Sequence, residues 1–297
     1  VGNRVTAPVK SSNLTQAEKD LLTDVEEVLV FLDRFLRSRE RSIGHIHALL
    51  TEDTGLVDGR DREIFYQDFQ ALEKIFGGDF QAAAVFSDML RVVFNVDGGV
   101  NEPRLRMEQI RQVPGEIGLK VGEFSDYFGV ISIGDTSGLL KNCQKKEIVV
   151  DTEEFVSESL FHSINAPDSG IKLLIGSRKF TEGWNSWRVS TMGLINFAKG
   201  EGSQAIQLFG RGVRLKGYGG SLKRSRKLDF AVSAPKYIEL LETLSVFGVK
   251  AQYMEDFKSY LEQEGAPTNE AVYQFRLPVV SRFDQLKGKR LYIIKVK

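Results

Sequence analysis

An α/β fold with a mainly parallel sheet, a helical block near its start and a helical stretch at its end is predicted by three observations. Short apolar, β-branched runs begin at residue 117 and alternate with segments of helical spacing, the pattern of strand-helix-strand units. Before them, residues 13–95 carry apolar side chains at three- and four-residue steps. With 42% hydrophobic and 27% charged residues, the chain has an ample core and is neither disordered, collagen-like nor disulfide-stapled.

The helical block opens on Thr15-Gln16-Ala17-Glu18, a capping box in which two helix-end donors are satisfied reciprocally. Leu21, Leu22, Val25, Val28, Leu29, Leu32, Phe35 and Leu36 then predict one long amphipathic helix. The Asp- and Gly-rich stretch 51–60 reads as a loop. Phe65, Phe69, Leu72 and Phe76 predict a second helix, and Phe86, Leu90, Val93 and Phe94 a third. Gly98-Gly99 and Pro103 close the block.

Strands are expected at 117–121, 127–133, 148–150, 172–175 and 189–196, and helices at 203–213, 236–246 and 253–262. Asp135, after the second strand, is expected to cap a helix. Residues 1–233 then make one α/β lobe, and 234–297, broken by Pro267 and Pro278, a helical extension and connector. Both termini are strand-like, so the chain reads as a piece of a larger protein. No apolar run approaches the roughly 18 residues of a membrane span, and Cys143, the single cysteine, has no partner within the chain. A cytoplasmic location is expected.

Forty Lys plus Arg balance forty Asp plus Glu, which excludes a uniformly basic coat and gives local charge runs their meaning. The strongest runs from Arg211 through Arg214, Lys216, Lys223, Arg224 and Arg226 to Lys227, with no acid before Asp229. Such a run, interrupted by Gly217, Gly219 and Gly220, suits a flexible loop following a phosphate backbone by counterion release, or else a solvated loop. Within Gln207-Leu208-Phe209-Gly210-Arg211-Gly212-Val213-Arg214, the two arginines stand three apart and project from nearly one helix face. Gly210 and Gly212 cost a helix about 1 kcal/mol each, which suggests that something approaches the backbone closely. Two planar, always-charged donors beside small residues suit a polyphosphate.

Gln207-x-x-Gly210-Arg211-x-x-Arg214 (within 204–214) resembles motif VI of superfamily 2 helicases and translocases. Lys179-Phe180-Thr181-Glu182-Gly183-Trp184-Asn185 (within 176–190) resembles their motif V. More narrowly, E-G-W followed by Q-x-x-G-R-G-x-R-L is similar to the restriction (Res) subunit of type III restriction enzymes and related DEAD/DEAH-type helicases. The resemblance implies a RecA-like second lobe that closes over ATP and Mg²⁺ held mainly by a first lobe, with residues 13–95 as a helical insertion. It implies Arg211 and Arg214 as arginine fingers and Gln207 as a contact to the nucleotide or the neighbouring motif. Gly210, Glu182 and Gly183 would lie near ATP, and Asn185, where those subunits more often have Asp, would reach the ribose or motif VI. Ser177, Lys179 and Thr181 would face nucleic-acid phosphates, with ordinary turn chemistry as their alternative, and Lys216, Lys223 and Arg224 join them through the basic run. Trp184 and Trp187 are expected to pack as hydrophobic anchors, with stacking on bases as their alternative.

No G-x-x-x-x-G-K-[ST] loop and no Asp-Glu dipeptide occurs, so the first RecA-like lobe is expected upstream of Val1, and this piece alone should not hydrolyse ATP. His45 and His47 have the wrong spacing to share a helix face, and no metal site is expected. Pro167-Asp168 lacks a nearby acidic-x-Lys partner, so no nuclease centre is expected within the chain. The sequence therefore predicts the second motor lobe of a DNA helicase or translocase. Its rivals are the restriction subunit of a type III system, which would partner a methyltransferase subunit, and a non-catalytic nucleic-acid-binding module.

Overall fold

Two short connections set the direction of the main sheet. Residues 111–115 join β1 (Leu105–Ile110) to β2 (Glu116–Val121), and residues 122–128 join β2 to β3 (Gly129–Ser132). Neither is long enough for a crossover, so each pair lies antiparallel. Gly115 makes the first turn possible: its φ is +87°, and a Cβ there would fall 2.4 Å from the Ile133 carbonyl oxygen. The two edge strands, β4 (Val149–Glu153) on β1 and β5 (Leu173–Gly176) on β3, are parallel to their neighbours and complete the order β4-β1-β2-β3-β5. The protein is α/β as expected, and its five-stranded sheet is mixed, with β2 running against the other four strands.

These features come from a computed structural model, which describes residues 24–59, 61–65, 69, 72, 81–96, 102–134, 136–153, 156, 158–176, 185–195, 202–214, 216–228 and 235–249. The capping box at Thr15, the cap at Asp135, most of the helix expected over 65–76 and the helix over 253–262 lie outside them.

β1 was not anticipated, because Leu-Arg-Met-Glu-Gln-Ile alternates instead of forming an apolar run. Its alternation splits the sheet into two faces. On one face Leu105 and Met107 join Ile117, Leu119, Val121 and Ile131 in the main core, which α1 (Asp24–Arg37) enters through Val25, Leu29 and Leu36 and α4 (Ser137–Lys145) through Leu139 and Leu140. α1 ends at Ser38, where ψ of 68° breaks the helix before α2 (Arg39–Leu50). α3 (Ala82–Val92) packs Phe86, 1% exposed, against Phe35 of α1 at 5.6 Å between ring centroids. Phe94, just beyond α3, meets Phe128 edge-on at 4.9 Å, so the helical block and the sheet share one core.

Two buried carboxylates in this region are met internally. The buried Asp33 carboxylate accepts from the Leu105 amide at 3.2 Å and from Arg37 at 3.4 Å. On the other sheet face, buried Glu108 accepts from the Tyr127 hydroxyl at 2.6 Å and pairs with Lys120 at 2.8 Å. Burial, then the Glu108 carboxylate, holds the Tyr127 phenol well above its ordinary pKa, so it stays a neutral donor.

The remainder forms a smaller parallel pair, β6 (Thr191–Ile195) with β7 (Ser245–Val249), next to α5 (Gly202–Gly212). The helix expected over 236–246 is a single turn, α6 (Ile238–Leu241). The strand that replaces its end, Ser-Val-Phe-Gly-Val, is β-branched and aromatic, and Gly248 disfavours a helix there. Residues on both sides of position 233 therefore share a sheet. Among the described residues, no helix is long and apolar enough to cross a membrane.

Candidate functional site

The site is built on α5, whose sequence divides between two faces. Leu208 and Phe209 are 1% and 6% exposed and Gly212 is buried, so the helix seats itself through positions i, i+1 and i+4. A Cβ on Gly212 would come within 2.9 Å of both Leu244 Cδ2 and Met192 Cε. The close approach expected at the glycines is thus made, at Gly212, by the protein's own side chains. At Gly210 a Cβ would meet nothing within 4 Å, which leaves room against the backbone.

Gln207 and Gly210 are exposed, Arg211 is half-buried and Arg214 is exposed. Their spacing of i, i+3 and i+4 puts Gln207, Gly210 and Arg211 in one stripe opposite the seated face. Arg214 lies just past the end of α5, where the Val213 amide still bonds to the Phe209 carbonyl at 2.9 Å.

Arg214 Nη1 donates to Asn185 Oδ1 at 2.5 Å, joining the two motifs across twenty-nine positions of chain. The sequence offered Asn185 a ribose or the segment of Arg214, and a contact to Arg214 is present. An amide oxygen orients a guanidinium without neutralising it, so Arg214 keeps its full charge and its remaining donors. Asn185 belongs to a strap, residues 185–190, that leads into β6. The strap is fastened by residues that carry no motif signal. Asn165 Nδ2 donates to the Asn185 carbonyl at 2.8 Å. The Arg188 guanidinium bonds the carbonyls of Ile164, Ser169 at 3.3 Å and Ile171 at 3.1 Å. Buried Ser186 accepts from the Arg188 amide at 3.2 Å, setting the turn. Trp187, expected as an anchor, is instead 40% exposed, because Arg188 and Ser186 do the anchoring.

Ser177, Lys179, Thr181, Glu182, Gly183 and Trp184 lie outside the described residues. Lys216, Lys223, Arg224, Arg226 and Lys227 are all exposed. Their segment is folded rather than an unstructured loop. The Gly217 amide bonds to the Ser221 carbonyl at 2.7 Å, and single 3-10 turns form at Tyr218–Gly220 and Ser225–Lys227. Glu242 then grips Ser225, accepting from its amide at 2.7 Å and its hydroxyl at 2.9 Å. That grip turns the basic run back toward β7 while leaving its cations outside. Among the described residues no group of His, Cys, Asp or Glu is arranged to hold a metal ion.

No protein-family model, curated protein or solved structure matches this chain.

Proposed function

We propose that this chain is the second, RecA-like lobe of a nucleic-acid-dependent, ATP-driven motor of the superfamily 2 helicase and translocase type. The observation that carries the reading is the environment of Arg214: exposed, just past the motif stripe and held by an amide instead of a carboxylate. A guanidinium merely stabilising a surface would be expected to sit on an acid; this one is oriented with its charge unspent. Gln207 and Arg211 on one face, with Arg214 just beyond them and open space over Gly210, fit the phosphate end of a nucleotide.

MgATP, seated on the first lobe, would supply the phosphoanhydride whose cleavage drives movement. The residues of this chain contribute donors and positive charge at the phosphates, where positioning and electrostatics supply most of the catalysis. The exposed Lys216, Lys223 and Arg224 contact nucleic-acid phosphates, which position without reading bases, as a motor moving over any sequence requires. Asn185 belongs, in this reading, to the arginine it orients and not to the ribose.

Arg214→Ala in the full protein is expected to lower DNA-stimulated ATP hydrolysis by about 10³-fold or more, the worth of an arginine finger, while urea unfolding shifts by less than about 0.5 kcal/mol. Undiminished ATPase in the variant, or DNA binding with no nucleotide effect in the wild type, would overturn the motor and leave a passive nucleic-acid-binding module.

A further inference from the structure

We propose that Asn165 and Arg188 are positioning residues for the Arg214 guanidinium, acting through Asn185. The inference rests on the motor reading and adds two residues to which the resemblance gives no role.

The chain of contacts begins in the five-stranded sheet. The Phe128 carbonyl, at the start of β3, accepts from the amides of Lys172 at 2.6 Å and Leu173 at 3.1 Å. Asn95 Nδ2 ties the Gly170 carbonyl at 3.1 Å to the Tyr127 carbonyl at 3.0 Å. Residues 164–171 are thereby fixed to the core, and Ile164 and Ile171 are 4% and 7% exposed. Arg188 gathers three carbonyls of this loop, and Asn165 holds the Asn185 carbonyl from its far end. Asn185 is held at its own carbonyl and by the Arg188 anchor three residues on, so its side chain starts from a fixed backbone when it meets Arg214.

Every acceptor in this relay is neutral. Arg188 bonds to carbonyl dipoles and Arg214 to an amide, so neither cation is cancelled by these bonds. A carboxylate in place of Asn185 would orient Arg214 as well but would offset its charge. The relay therefore separates orientation from neutralisation, which is what a group aimed at a phosphate needs.

The test is a double-mutant cycle on ATP hydrolysis in the full protein, combining Asn185→Ala or Asn165→Ala with Arg214→Lys. Each relay variant alone is expected to lower kcat about tenfold with KM changed less than about twofold, the loss of one oriented charged donor. Arg188→Lys, which cannot bridge three carbonyls, should resemble Asn165→Ala. On the Arg214→Lys background the relay substitutions should have almost no further effect, because they act through that side chain. Additive losses in the cycle, or unchanged kcat in Asn165→Ala and Asn185→Ala, would overturn the positioning role while leaving the motor intact. A wild-type ATPase rate in Arg214→Ala would remove the motor reading itself. Circular dichroism of each variant separates loss of fold from loss of aim.

Discussion

Around the five-stranded sheet, buried carboxylates are answered from within: Asp33 by the Leu105 amide and Arg37, Glu108 by Tyr127 and Lys120. Around α5 the balance reverses. From residue 202 to residue 228 the chain has seven Lys or Arg and no Asp or Glu, and Arg214 rests on an amide oxygen. A carboxylate does enter that neighbourhood, but Glu242 gives both its oxygens to neutral donors on Ser225. One region uses its charges to hold itself together, while the other leaves Lys216, Lys223, Arg224, Arg226 and Lys227 exposed.

Substitutions can break or sharpen this contrast. Leu119→Ala, at a fully buried position of the main core, should cost about 2–5 kcal/mol in denaturant unfolding. A loss below about 1 kcal/mol would mean that the sheet region is not the stable half. Asp33→Ala strands the Leu105 amide in the interior, with an expected loss of about 1–3 kcal/mol in the same assay; an undisturbed midpoint would deny that internal pairing matters there. The two glycines of α5 give the smallest and most discriminating pair. Gly210→Ala places its methyl in open space and should gain up to about 1 kcal/mol from helix propensity. Gly212→Ala must displace Leu244 and Met192 and should come out about 1 kcal/mol worse than its neighbour. Equal thermal midpoints for the two variants would remove the distinction between the faces of α5.

The motif stripe was legible because i, i+3 and i+4 are distances written in the sequence, and the buried Leu208 and Phe209 between them fix which way the helix turns. The reversal of β2 was not. Apolar runs announce strands but not their partners, and antiparallel order here follows from the short turns at 111–115 and 122–128. Leu240, Leu241, Leu244 and Phe247 fit a helical spacing, yet the pairing of β7 with β6 overrides that local preference. Asn165 and Arg188 were invisible for a different reason. Their partners are backbone carbonyls, which every residue carries, so no residue type at the far end signals the contact.

Because α5 puts its anchoring residues and its motif residues on opposite sides, the two jobs of that helix are separable by substitution. Swaps of Leu208 or Phe209 for other hydrophobes of like volume should be read in melting curves with catalysis preserved, and changes at Gln207 or Arg214 in turnover with melting preserved. The helix and the two residues that follow it thus offer two independent dials, one for how firmly the helix is seated and one for what the segment presents to its surroundings.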